Sequence, residues 1–198
     1  MLFHMPDDVP LAHLAGRGIL FLVLLIWGSK FISTPLETNY TGESFMHLIN
    51  LPFHEAGHFI FGFFGRFITV LGGSLMQLLV PAVCTVAFLT TTRDPFAASV
   101  GLWWLGESFM DLSPYINDAR DLELILLGGV TGKDVDDYHD WQYLLGQTDL
   151  LEYDHALARF SYGLGTVLMV LALIWGAFLL FRQWKVLRRG PSASGFAA

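Results

Sequence analysis

Charge is scarce in this sequence. Only 15% of its 198 residues are Asp, Glu, Lys or Arg, against roughly 25% in a soluble globular domain. Basic residues are the scarcer kind: 11 Lys and Arg face 18 Asp and Glu, for a net charge of -7. Such a chain has no basic face for a phosphate backbone, which excludes nucleic acid as a partner. Cysteine occurs once, at Cys84, so an internally disulfide-stapled secreted scaffold is excluded as well. In place of charge the chain carries apolar residues, 54% of the total, with a mean hydropathy of +0.51. That excess excludes both an ordinary soluble domain and a disordered chain. An integral membrane protein remains.

A membrane-spanning helix needs about 20 mainly apolar residues. Five stretches meet that length, at about 14–34, 44–65, 67–90, 96–116 and 160–181. The first lacks a basic leader and a small-residue cleavage site, so it reads as an anchor rather than a removed signal peptide. The expected fold is therefore all-α: one polytopic membrane domain, a bundle of about five transmembrane helices in the lipid bilayer. Between the fourth and fifth stretches, from Asn117 to His155, lie ten of the 18 acids, opposed only by Arg120 and Lys133. This segment is expected to be extramembrane and largely solvated, a docking face for a partner protein. Within it Trp141, Tyr138, Tyr143, Leu144 and Leu145 read as an amphipathic element resting on the membrane surface. Arg182, Lys185, Arg188 and Arg189 follow the last stretch. Basic flanks stay cytoplasmic, which puts the C-terminus inside, and the acidic N-terminal MPDDVP and the 117–155 segment outside.

The second stretch contains H-E-x-x-H, at His54, Glu55 and His58. Residues four apart share a helix face, so the two imidazoles can grip one metal ion. Glu55 between them is close enough to handle the proton of an attacking water. Zinc is the expected ion, because two imidazoles, a carboxylate and an open position are its usual hydrolytic set. Ionisable groups inside an apolar span are costly and as a rule functional, which weighs against stray polar residues. The third ligand is open among Asp118, Asp111 and His139, in that order. Asp118 follows an apolar stretch and Pro114, a residue that can break the helix and turn the chain toward a cavity. Asp111 lies one turn after Glu107, and two carboxylates on one face repel unless protonated, metal-bound or wet. His139 sits in the polar run YHDWQYLLG. His47, two turns before His54, shares its helix face. The pentapeptide GESFM occurs twice, from Gly42 and from Gly106, as a diverged repeat or by coincidence.

At HEAGH the chain resembles the site-2 protease family of intramembrane zinc metalloproteases. Two further segments carry the likeness. GSLMQ, from Gly73 to Gln77, has the spacing of the family's G-P-x-x-N element with Gln in place of Asn. DLSPYINDA, from Asp111 to Ala119, compares with its N-x-x-P segment ending in Asp-Gly, with Asp111 for the Asn and Ala119 for the Gly. The resemblance covers roughly Phe45 to Arg120. It implies a membrane-embedded zinc metalloendopeptidase that cleaves a membrane protein or peptide within or beside the bilayer. It also implies zinc on His54, His58 and Asp118, with Glu55 as the general base. Gln77 is then expected to bind the substrate backbone, since a helical substrate must unwind before its carbonyls can be attacked. The alternative is a catalytically silent scaffold or partner subunit that retains a metal site. A transporter using Glu107, Asp111 and the histidines as an ion path ranks last.

Overall fold

The computed structural model describes residues 10–189; His4 and the N-terminal acids of MPDDVP lie outside the described residues. Among the described residues the chain is all-helical, without a strand. In chain order the helices are α1 (Leu11–Ser33), α2 (Phe45–Phe61), α3 (Arg66–Thr90), α4 (Pro95–Asn117), the short α5 (Asp140–Gln147) and α6 (Asp154–Arg189). The five long helices coincide with the five apolar stretches, though α6 extends beyond its stretch at both ends. Three segments are long and apolar enough to cross a membrane: α1, α3, and residues 151–188, which contain most of α6. The other two long helices fall short for different reasons. With 17 residues, α2 reaches about 26 Å at 1.5 Å per residue, less than a hydrocarbon core of about 30 Å. In α4 the length suffices, but Glu107, Asp111 and several serines dilute its apolarity.

That dilution follows from where α4 sits. Of its 23 residues, 15 are buried, because α6, α3, α1 and α2 all pack against it. A helix enclosed by protein faces little lipid, so its polar side chains must satisfy one another instead. Bare glycines set the closest approaches. On α4, a Cβ at Gly106 would lie 2.7 Å from the carbonyl oxygen of Gly165 on α6. On α3, a Cβ at Gly72 would lie 2.7 Å from the carbonyl oxygen of Gly57 on α2. Small residues of this kind let helix backbones meet. The apolar core around Phe31, Trp103, Met110 and Met169 fills the space between α1, α4 and α6. Trp27 and Trp103 pack there, inside the bundle.

Three sequence expectations change at this level. Pro114 does not break α4, which continues through it to Asn117. The acids of the 117–155 segment are not uniformly solvated: seven are exposed, but Asp118 and Asp154 are buried and Asp140 is largely covered. Arg120 grips Asp154 with two bonds, Nε to Oδ2 at 2.8 Å and an Nη to Oδ1 at 2.6 Å, so the pair joins the end of α4 to the start of α6. The aromatic run at 138–145 is seated on protein, with α5 against α3 and α4 and with Leu144 and Leu145 buried. The two GESFM copies differ in structure, one leading from a turn into α2 and the other lying within α4.

Candidate metal centre

Helix α2 begins where Ser44 accepts the backbone N–H of His47, and the H-E-x-x-H residues fall in its second half. Their partner is α3, drawn in by the Gly57–Gly72 contact. One residue further along α3, Gly73 faces both imidazoles: a Cβ there would lie 2.5 Å from His58 Nε2 and 2.6 Å from His54 Nε2. No side chain fits at that position, and the space beside the two Nε2 atoms stays open.

Each imidazole is held through its other nitrogen. His54 Nδ1 lies 3.2 Å from Gln77 Oε1, and His58 Nδ1 lies 2.9 Å from the carbonyl oxygen of Thr69. Both partners are acceptors, so both Nδ1 atoms carry a proton, and Nε2 is the nitrogen that each imidazole would offer to an ion. Outer acceptors of this kind orient metal-binding histidines. The third group is Asp140: its Oδ2 lies 3.0 Å from His54 Nε2 and 3.2 Å from His58 Nε2. Ligands on a tetrahedral zinc with bonds of about 2.1 Å stand about 3.4 Å apart. Two imidazoles and one carboxylate, within 4.8 Å of one another, therefore fit a zinc ion in donor type and in spacing. Burial pushes the Asp140 carboxyl up, but the contacts from His54 and His58 outweigh it and hold the group below the ordinary carboxylate range.

The residues expected as third ligand are occupied elsewhere. Asp118 caps the chain after α4: Oδ1 accepts the N–H of Glu123 at 2.9 Å and Oδ2 that of Leu124 at 3.0 Å. His139 accepts the N–H of Gln142 on Nδ1 and so starts α5. Its Nε2 lies 3.4 Å from Asp118 Oδ2, a long contact. Asp118 and His139 thus hold the segment that delivers Asp140. Beside them the hydroxyl of Tyr115 accepts the backbone N–H of Asp140 at 2.9 Å. Asp111 is buried in α4 and takes bonds from His47 Nδ1 at 3.0 Å, Asn50 Nδ2 at 3.0 Å and Gln77 Nε2 at 2.9 Å. Both ends of the Gln77 amide are therefore engaged, one on His54 and one on Asp111, rather than turned toward an incoming backbone. Glu107, wholly buried, accepts from Asn50 Nδ2 at 2.9 Å.

Asp140 was not among the expected ligands. It directly follows His139, and it opens an eight-residue helix, where a carboxylate is favoured by the helix dipole. Those were the available signals.

A cavity of about 580 Å³ lies in front of the three groups. Glu55 lines it, is solvent-exposed, and makes no hydrogen bond or ion pair with any described residue. Leu124, Ile125, Leu126 and Leu127 of the segment that Asp118 caps give it an apolar stretch of wall. Comparison of the chain with protein-family models, with curated proteins and with solved structures returned no match.

Proposed function

We propose that this chain is a membrane-embedded zinc metalloendopeptidase that hydrolyses peptide bonds within or beside the bilayer. The observation that carries the reading is the convergence of His54, His58 and Asp140 at one edge of a cavity whose free carboxylate is Glu55. His54, His58 and Asp140 would hold the ion. Zinc in such a set supplies Lewis acidity, polarising a carbonyl and acidifying water. Glu55 takes a proton from the attacking water and returns it to the leaving amine. Tyr115, whose hydroxyl accepts from Asp140 and donates to no described residue, supplies a hydrogen-bond donor in the same cavity. The wall from Leu124 to Leu127 favours apolar side chains next to the cleaved bond.

The same reading takes all five long helices as spans. Helix α2 is short, but it is paired with α3, and the polar groups of α4 face protein. The basic end of α6, with Arg182, Lys185 and Arg188, supports a cytoplasmic C-terminus. The exposed acids from Asp121 to Asp137 then face the opposite side, where they offer a surface to a partner protein. An intact Glu55 argues against a silent scaffold, because a structural metal site has no use for a free carboxylate beside it.

Glu55→Gln tests the reading. Zinc content is expected to stay at the wild-type level while cleavage of a model membrane substrate disappears. Removal of the general base leaves rates lower by about 10²–10⁴-fold. Cleavage that survives the change at the wild-type rate would refute the assignment.

A further inference from the structure

The metal centre is backed by a chain of side chains running through α2, α3 and α4, and the direction of every link in it is fixed. Trp104 Nε1 is a donor only, and it gives its proton to Asn50 Oδ1 at 2.8 Å. The Asn50 amide nitrogen must then face the other way, toward Asp111 and Glu107. Asp111 is an acceptor with three donors aimed at it, from His47, Asn50 and Gln77. The Gln77 nitrogen must therefore face Asp111, which leaves the Gln77 oxygen facing His54 Nδ1. An amide can be flipped end for end at little steric cost, so a terminal group has to choose its direction.

From this we infer that Asp111 is a positioning residue for the metal centre. It fixes the Gln77 amide, the amide fixes the proton on His54 Nδ1, and the lone pair of His54 Nε2 is thereby presented to the ion. The inference rests on the metal-centre part of the reading above and not on proteolysis. It separates the two histidines. A backbone carbonyl, which cannot flip, holds His58. The His54 arm alone depends on a side chain that needs a partner of its own. It also gives the buried acid of α4 a task without making it a ligand: Asp111 is 4% exposed and reaches the imidazole through one amide.

The test relocates the charge. Asp111→Leu, of nearly the same shape, removes both acceptor oxygens, including the one that orients Gln77, so the amide can turn its nitrogen toward His54. Zinc affinity of the full-length chain in detergent, measured by competition with a chelator, is expected to fall about 10–100-fold, the usual cost of losing such an outer partner. Combining Asp111→Leu with Gln77→Glu puts a carboxylate at position 77, which presents an oxygen to His54 whichever way it is turned. His54 Nδ1 then has its acceptor without help from position 111, and affinity is expected to return to within about threefold of wild type, well inside the 10–100-fold loss. The absorption band of the cobalt-loaded chain should shift in the single variant and return in the double one. A merely structural Asp111 predicts no such return. The inference is overturned if the single variant binds zinc as the wild type does, or if the double variant fails to recover. Should the single variant not fold, the matched double variant decides the question by its own affinity. A wild-type chain that takes up no zinc overturns the metal centre and this inference together, an outcome distinct from either failure above.

Discussion

Gly73 of α3 lies against His54 of α2 so closely that a Cβ on the glycine would stand 2.6 Å from the imidazole Nε2. The imidazole cannot simply swing aside, because Nδ1 is tied to Gln77. Gly73→Ala therefore places a methyl group where the metal would sit. Zinc affinity is expected to fall by at least about tenfold, comparable with the loss of an outer partner of a ligand. Helix content should be unchanged, because alanine favours a helix more than glycine does. Zinc titration and circular dichroism on the same sample check both halves. A Gly73→Ala chain with wild-type affinity would mean that the ion does not lie beside the two Nε2 atoms.

Asp140 and Asp118 should respond differently to truncation. Asp140→Ala removes the carboxylate 3.0 Å from His54, and zinc content of the purified protein is expected to drop to background. Asp118→Ala leaves all three converging groups in place but frees the N–H groups of Glu123 and Leu124. Its expected phenotype is lower thermal stability by about 1.5–3 kcal/mol, typical of hydrogen bonds to a charged group, with zinc still bound at saturating metal. Zinc retained in Asp140→Ala and lost in Asp118→Ala would reverse the assignment.

The helix pair that forms the centre depends on Gly57. A Cβ there would overlap the carbonyl of Gly72, a backbone group that cannot move without moving α3. Gly57→Val should push the helices apart and destabilise the bundle by about 1–3 kcal/mol, as overpacking generally does. Zinc affinity should fall with it, because α3 carries both Thr69 and Gln77. Thermal unfolding with and without zinc measures the two effects. Wild-type stability in the variant would mean that α2 and α3 do not meet at these glycines.

What could be seen from the sequence was whatever is local. His54, Glu55 and His58 fall on one face because a helix repeats every 3.6 residues, and that needs no knowledge of the rest of the fold. The long helices were visible for the same reason, as uninterrupted apolar stretches. Asp140 was hidden because it lies 82 residues from His58 in the chain, and only tertiary packing brings the two together. The thirteen acidic residues between Arg93 and His155 offer many similar candidates, and no local rule separates one largely covered carboxylate from its solvated neighbours. Gln77 was singled out by its position. Its use was not visible, since the amide is consumed by two partners on two different helices.

Asp118 also makes the segment that carries Asp140 sensitive to acid. Burial pushes its carboxyl up, but the contact with His139 and the N–H groups of Glu123 and Leu124 together hold it below its ordinary value. A carboxyl with a depressed folded-state pKa contributes stability that is present above its unfolded pKa, about 3.9. That stability is lost as pH falls through the lower folded value. The melting temperature of wild type minus that of Asp118→Asn should then be constant and positive from about pH 5 to pH 7, and shrink below about pH 4, in the range where the carboxylate takes up its proton. Near neutral pH the segment, and Asp140 with it, stays docked. A melting-temperature difference that does not change with pH across that whole range would mean that the charge on Asp118 is not what secures the segment.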